Sequence, residues 1–428
     1  MGISCNSKIK KNNNIININN NVINNNTNNF KKYINNNKNY VNNNKNNINN
    51  DNINNNTLSY YSFNSFYLID SNFKNPNLRY KENIINDFLS SYWICETFDI
   101  YYPMKNSNGK IEPYIIYPCS KNNDINILRI RDNKSIKSLK GHGKSVYIVK
   151  YFYCEKKRLH YLLSAEYDGI VLVWNLNTFT IIHTINTEYK GSINSFLIIF
   201  NYDYILTSTD GANSIKDSTK IYSLFSGKFV KIIPNSYKNE TLYMINWINN
   251  KDYIIELCCE EIILYELLNG KIYHLFKDDK INCKYYSGFI SNENKYLYTC
   301  SSKGDINIWD LYNKKKIFTI TIKNGELFKI LSWSIEKNKL NNKIHNYILV
   351  TDKKNEGIYC VYINFKKENI DKNNNNNFDI NYNIFTLYKN GKVIKSIKKI
   401  IHSKYGESLL SSSNDKSIDL WINNNFDI

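Results

Sequence analysis

The chain has 428 residues, 42% hydrophobic and 14% aromatic, ample material for a large core. Its apolar runs, such as 170–174 and 262–265, fall far short of the ~20 residues a membrane-spanning helix needs, which excludes an integral helical membrane protein. The formal charge is +18, yet only four cations are Arg (Arg79, Arg129, Arg131 and Arg158), so the surplus reads as a lysine bias on a solvated surface and not as a base-reading site.

The first residues, Met1-Gly2-Ile3-Ser4-Cys5-Asn6-Ser7-Lys8, lack the apolar stretch of a secretory signal. They resemble an N-myristoylation signal, with Gly2 as acceptor once Met1 is removed and Cys5 placed for a second, reversible palmitoyl chain. Lys8, Lys10 and Lys11 follow, and one acyl chain holds a protein stably only with a second chain or a basic patch. This predicts a lipoprotein that is cytoplasmic and peripheral to a membrane surface facing the cytosol. Residues 1–57 contain 28 Asn and a single acid, Asp51, and too little apolar surface to offset ordering entropy. They read as a disordered tail, a tether of about 40 Å r.m.s. length if fully flexible.

From residue 58 onward, short alternating strands dominate. One pattern recurs, as in Gly169-Ile-Val-Leu-Val-Trp174, Lys220-Ile-Tyr222, Ile262-Ile-Leu-Tyr265, Asp305-Ile-Asn-Ile-Trp309 and Ser417-Ile-Asp-Leu-Trp421. Adding Leu128 and Tyr362 gives seven anchors, spaced by 46, 48, 43, 44, 53 and 59 residues. A period near 40–45 with four strands per unit is that of a propeller blade, so seven anchors predict an all-β, seven-bladed β-propeller over 58–428. A second Asn-rich stretch, 366–383, reads as an exposed insert. The chain continues only seven residues past Trp421, so the last blade needs its outer strand from elsewhere to avoid an unpaired edge. The apolar run Phe66-Tyr-Leu-Ile69 makes 58–72 the expected closing strand, with the first blade starting near Ser91-Tyr-Trp-Ile94.

These units resemble the WD-repeat family of β-propellers. The likeness is strongest in Gly141-His142 … Leu163-Ser164-Ala165-Glu166-Tyr167-Asp168-Gly169 … Val173-Trp174. It implies a structural tetrad of His142, Ser164, Asp168 and Trp174, in which Asp and His hydrogen-bond while Ser and the Trp indole complete a buried network. Trp309-Asp310 keeps the name-giving dipeptide but has Lys303 at the Asp position; Ser411, Asp415 and Trp421 lack the His. The resemblance implies a non-catalytic scaffold that offers its faces to protein partners, the expected face including 141–145.

Other chemistry is thin. There is no G-x-S-x-G, P-loop, H-E-x-x-H or G-x-G-x-x-G, so no enzyme, cofactor, metal or small-molecule substrate is expected. Nine Cys, odd in number and free of C-x-x-C pairs, suit a reducing compartment; Cys258-Cys259 reads as strand packing before redox or metal chemistry. Trp93, Trp174, Trp247, Trp309, Trp333 and Trp421 read as core. Two alternatives stand beside the scaffold. One is a nucleic-acid-associated propeller using Lys389, Lys392, Lys395, Lys398, Lys399 and Lys404. The other is a ubiquitin-ligase substrate receptor, for which Leu128-Arg129-Ile130-Arg131 keeps only the Arg of the usual Trp-Asp-x-Arg.

Overall fold

Strand periodicity settles where the core lies. The run 262–265 is apolar at every position because both of its faces are covered: Ile262 and Leu264 turn into one apolar cluster, Ile263 and Tyr265 into another. A computed structural model describes residues 78–86, 97–103, 112–119, 121–188, 193–209, 219–233, 239–246, 252–258, 261–278, 283–291, 294–322, 324–336, 344–354, 356–367, 378–389 and 393–423. The tail 1–57, the run 58–72 and the run 91–94 lie outside them. The chain divides into Met1–Tyr61 and Ser62–Ile428, and every described residue belongs to the second unit.

The described residues form twenty-eight strands and no helix. The first strand is β1 (Leu78–Ile85). Blade 1 follows as β2 (Asp99–Tyr101), β3 (Tyr114–Pro118), β4 (Ile125–Arg129) and β5 (Lys134–Leu139). Blade 2 comprises β6 (Val146–Cys154), β7 (Leu159–Glu166), β8 (Ile170–Asn175) and β9 (Thr180–Asn186). Blade 3 is β10 (Ile193–Ile199), β11 (Tyr204–Thr209), β12 (Thr219–Ser223) and β13 (Phe229–Ile232). Blade 4 is β14 (Asn239–Asn246), β15 (Asp252–Cys258), β16 (Glu261–Glu266) and β17 (Ile272–Lys277). Blade 5 is β18 (Tyr285–Ile290), β19 (Tyr296–Ser301), β20 (Asp305–Asp310) and β21 (Lys315–Thr321). Blade 6 is β22 (Leu327–Glu336), β23 (Ile344–Asp352), β24 (Gly357–Lys367) and β25 (Phe378–Lys389). Blade 7 contributes β26 (Ile394–His402), β27 (Gly406–Ser413) and β28 (Ile418–Asn423).

Each blade is a four-stranded antiparallel meander, and the seventh is completed by β1, in the order β1-β28-β27-β26. The protein is therefore an all-β, seven-bladed propeller. The closing strand is Leu78–Ile85, C-terminal to the 58–72 run favoured on sequence. The reason is its position at the rim. An outer strand is wet on one side, so Lys81 and Glu82 are exposed while Ile84 and Ile85 are buried, and a more apolar run is not what the place demands. Its ladder runs from Leu78↔Asn423 to Ile85↔Ile418, with Asn83 Nδ2 donating to Asp419 Oδ1 at 3.0 Å.

The core is distributed over seven seams, one between each pair of neighbouring blades. Ile116, Ile127, Leu162 and Trp174 fill the seam of blades 1 and 2, for example, and Leu349, Cys360, Leu409 and Trp421 that of blades 6 and 7. The last seam joins Ile84, Ile85, Leu410 and Leu420 of blade 7 to Ile100, Ile115 and Leu128 of blade 1, which closes the ring. At the centre Asp99 on the short β2 ties three blades. Its carboxylate accepts from the backbone N–H of Tyr151 in blade 2 at 2.8 Å and pairs with Lys398 Nζ of blade 7 at 3.1 Å.

All seven sequence anchors fall on the third strand of a blade, but one has the wrong face. The Trp anchors pair with the residue four before the end of the second strand, as in Trp174↔Leu162, Trp309↔Leu297 and Trp421↔Leu409. In blade 6 that register belongs to Val361↔Ile348; Tyr362 pairs with Tyr347 and packs against the opposite seam. A one-residue step reverses the face of a strand, and the neighbouring aromatic disguised the small Val361. The same blade lacks the β-bulge that the other blades carry just before Leu128, Trp174, Tyr222, Tyr265, Trp309 and Trp421. Its irregularity lies earlier, between Ile358 and Tyr359, so β24 and β25 run on as a paired ribbon to Lys367↔Phe378. The Asn-rich insert 366–383 is thereby corrected: both of its ends are strand, and only 368–377 lies outside the described residues.

Candidate interaction face and its buried clamp

The loop 141–145 and the turn 167–169 meet on one face of the ring, at blade 2. Beneath them β7 places Leu162, Ser164 and Glu166 on the same side of the strand, facing the indole of Trp174 across the sheet. Trp174 Nε1–H donates to Ser164 Oγ at 2.8 Å, and Ser164 Oγ lies 2.7 Å from His142 Nε2. An indole N–H can only donate, so Ser164 Oγ accepts from Trp174, while its bond to His142 Nε2 runs in the direction that the imidazole tautomer sets. Nδ1 faces Glu166 Oε2 at 3.6 Å, beyond hydrogen-bond length.

Asp168 departs from the role that the resemblance implied. Its carboxylate takes Lys144 Nζ at 2.6 Å, which lowers its pKa, while the acid beside His142 is Glu166, which also accepts the backbone N–H of Lys144 at 2.6 Å. Sequence reading passed over Glu166, although its place two residues after Ser164 on a strand was the available signal. Burial, outweighing the nearby Asp168 carboxylate, depresses the His142 pKa to about 4. The sign follows directly. The unfolded imidazole titrates near 6.5, so between pH 6.5 and 4 the unfolded chain binds more protons than the folded one. The contribution of neutral His142 is full above pH 6.5 and is lost as pH falls toward 4, on the order of 3 kcal/mol. Urea midpoints at pH 7.5 and 4.5 check this: wild type should lose more stability over the interval than His142→Gln, and equal losses would contradict it.

The clamp recurs where the anchor is Trp. Trp309 Nε1–H donates to Thr299 Oγ1 at 2.9 Å and Trp421 Nε1–H to Ser411 Oγ at 2.8 Å, each ten residues upstream. The corresponding residues of the other blades are Tyr117, Thr207, Glu256 and Val350, so a hydroxyl acceptor accompanies every Trp anchor; without one, a buried indole N–H is costly. Blade 5 has Lys303 for Asp168. Its turn keeps the left-handed glycine of blade 2, Gly304 at φ +78° against Gly169 at φ +83°, and a Cβ on Gly304 would stand 2.6 Å from the carbonyl oxygen of Ile322.

Above the clamp the face is well anchored. Asn123 Nδ2 of blade 1 donates to the Gly143 carbonyl at 2.9 Å, and the Ile193 backbone N–H of blade 3 donates to the Tyr147 hydroxyl. Tyr167 projects from this base, 69% exposed, its ring edge-on to Tyr147 at 6.3 Å. The ladder of the inner strand shifts register after its first residue in blades 2 to 7, leaving Tyr147, Asn194, Glu240, Tyr286, Phe328 and Lys395 as the extra residues.

In the lysine cluster Lys395 is buried, Lys398 pairs with Asp99, Lys399 pairs with Glu407 at 2.9 Å and Lys404 is exposed; Lys392 and the Lys389 side chain lie outside the described residues. Arg129 is engaged by Asp132 and Arg131 by Glu112, each at 2.6 Å. Cys119, Cys154, Cys283, Cys300 and Cys360 are buried, and burial pushes the pKa of Cys283 and Cys360 up, away from the reactive thiolate. Among the described residues no group of three His, Cys, Asp or Glu side chains is arranged to hold a metal ion. Gly2, Cys5 and Cys259 lie outside the described residues, as does the Cys258 side chain.

A family model described as WD domain, G-beta repeat, matches residues 133–175. No curated protein matches the chain. The matched stretch holds β5 of blade 1 and β6 to β8 of blade 2, so a sequence repeat is offset by one strand from a blade. That offset is why the ring is closed by a strand from the N-terminal side.

Proposed function

We infer that this chain, a seven-bladed WD-repeat propeller, works as a non-catalytic docking scaffold held at a membrane surface by an acylated N-terminus. Propellers of this family generally bind protein partners. The observation that carries the reading here is rigid presentation: the exposed Tyr167 stands on a base tied to blades 1, 2 and 3 by the Asn123, Lys144–Asp168 and Tyr147 contacts. A surface held in place loses little conformational entropy when a partner docks.

The membrane part rests on sequence alone, on Gly2, Cys5 and Lys8, Lys10 and Lys11. Metabolic labelling with a myristate analogue, joined to proximity labelling, tests both parts. Wild type should incorporate the analogue and fractionate with membranes, and Gly2→Ala should do neither. Tyr167→Ala should keep the membrane address and lose a subset of labelled neighbours. Equal labelling of wild type and Gly2→Ala would remove the tether, and an unchanged neighbour set in Tyr167→Ala would remove this face.

A further inference from the structure

The outer strand of blade 3 carries no exposed charge, unlike those of blades 1 and 5. Exposed sheet edges usually carry charge, as β5 does with Lys134 and Lys137 and β21 with Lys315. On β13, three of the four side chains are apolar and exposed: Phe229 at 55%, Val230 at 41% and Ile232 at 38%. Phe225, at the turn before it, is 82% exposed, and Leu268 on the adjoining turn of blade 4 is 61% exposed. On the other flank β9 exposes Ile181 and Ile182. Most of the exposed large apolar side chains among the described residues thus lie on the rims of blades 2 to 4.

This edge is held rigid. Gly227 takes φ +68° and lies against His183 of β9, where a Cβ would come within 3.0 Å of the imidazole. The hairpin is closed by Gly227 N–H to the Ser223 carbonyl at 2.8 Å and Ser223 N–H to the Lys228 carbonyl at 2.9 Å. On the other side Lys231 Nζ donates to the carbonyls of Leu267 and Leu268 at 3.0 and 2.7 Å. The outward backbone groups of β13 are therefore fixed between two neighbours, with Phe229 and Ile232 on one face of the strand and Lys231 on the other.

Charge selects the occupant. The stretch 219–233 holds Lys220, Lys228 and Lys231 and no acid, and Lys271 is exposed on the adjoining turn. A second copy would bring the same cations together, and the chain as a whole carries +18. We propose that the edge of β13 binds an extended segment of another protein by strand addition, apolar at alternate residues and acidic at its flanks. Phe229, Val230, Ile232 and Phe225 grip its apolar side chains, and Lys228 and Lys271 receive the acidic ends. This surface is separate from the face bearing Tyr167 and requires only the fold.

The test uses the full chain and two fluorescent nonapeptides of the same apolar pattern, Asp-Glu-Val-Thr-Val-Thr-Val-Asp-Glu and its counterpart with Lys for every acid. The acidic peptide should bind saturably, at least tenfold tighter than the basic one. It should also slow amide exchange at 229–232 at least tenfold. Phe229→Lys and Ile232→Lys, at exposed positions and checked for an unchanged melt, should each weaken it at least tenfold although they add positive charge. Unchanged or tighter binding by these variants would reduce the effect to bulk charge attraction and overturn the proposal. So would protection confined elsewhere, or a wild-type dimer in sedimentation that Phe229→Lys dissolves, which would assign the edge to a second copy. A failed membrane or proximity result does not touch this readout, which is made in solution with purified protein.

Discussion

Replacing Ser164 by Ala should destabilise the propeller by roughly 2–4 kcal/mol, a large effect for the removal of one oxygen atom. The hydroxyl is fully buried and serves two partners, accepting from Trp174 Nε1 and meeting His142 Nε2. Its removal leaves a buried indole N–H and an imidazole nitrogen unsatisfied, each worth about 1–3 kcal/mol, with only a small cavity that water cannot readily fill. Ser164→Thr should recover most of the loss, because Thr299 performs the same service for Trp309. Urea denaturation followed by Trp fluorescence reads both variants. A Ser164→Ala protein within 0.5 kcal/mol of wild type would mean that the clamp is not what orders blade 2.

The blade count was legible because anchors are the large buried residues of the third strands. Trp174, Trp309, Trp421 and Tyr265 sit at the ends of runs that no surface strand would tolerate. Where the anchor is small the pattern fails: Val361 has no feature to distinguish it from Val350 or Leu349, so the nearby Tyr362 was chosen in its place. Closure was misplaced for a related reason. Apolar content marks strands buried on both faces, whereas β1 is a rim strand that carries Lys81, Glu82 and Asn83 beside Ile84 and Ile85. Glu166 was missed because a motif directs attention to Asp168, while the face on which a residue lies is set by strand parity. The strip of exposed apolar residues on β13 could not be read at all. Phe229-Val-Lys-Ile232 looks like any half-buried strand until it is known which edge has no neighbour.

Removal of β1 should have the largest effect of any change considered. The strand covers the edge of β28 along six paired positions and places Ile84 and Ile85 in the seam that joins blade 7 to blade 1. Truncating one buried Ile costs about 2–5 kcal/mol, so losing both, with a strand's worth of ladder, should cost well over 5 kcal/mol and leave Trp421's strand open to edge-to-edge association. The distinction from the 58–72 alternative is clean, because the two segments can be removed in turn. The measurement is the thermal melt of two truncated chains, one starting at Leu78 and one at Asp87, with and without a synthetic peptide of residues 78–86. A ring closed by Leu78–Ile85 predicts that the chain starting at Leu78 melts with the full-length protein. It predicts that the chain starting at Asp87 melts at least 10 °C lower or aggregates, and is restored by the peptide. If the chain starting at Asp87 melts with the full-length protein, or the one starting at Leu78 already falls, the ring is not closed as described.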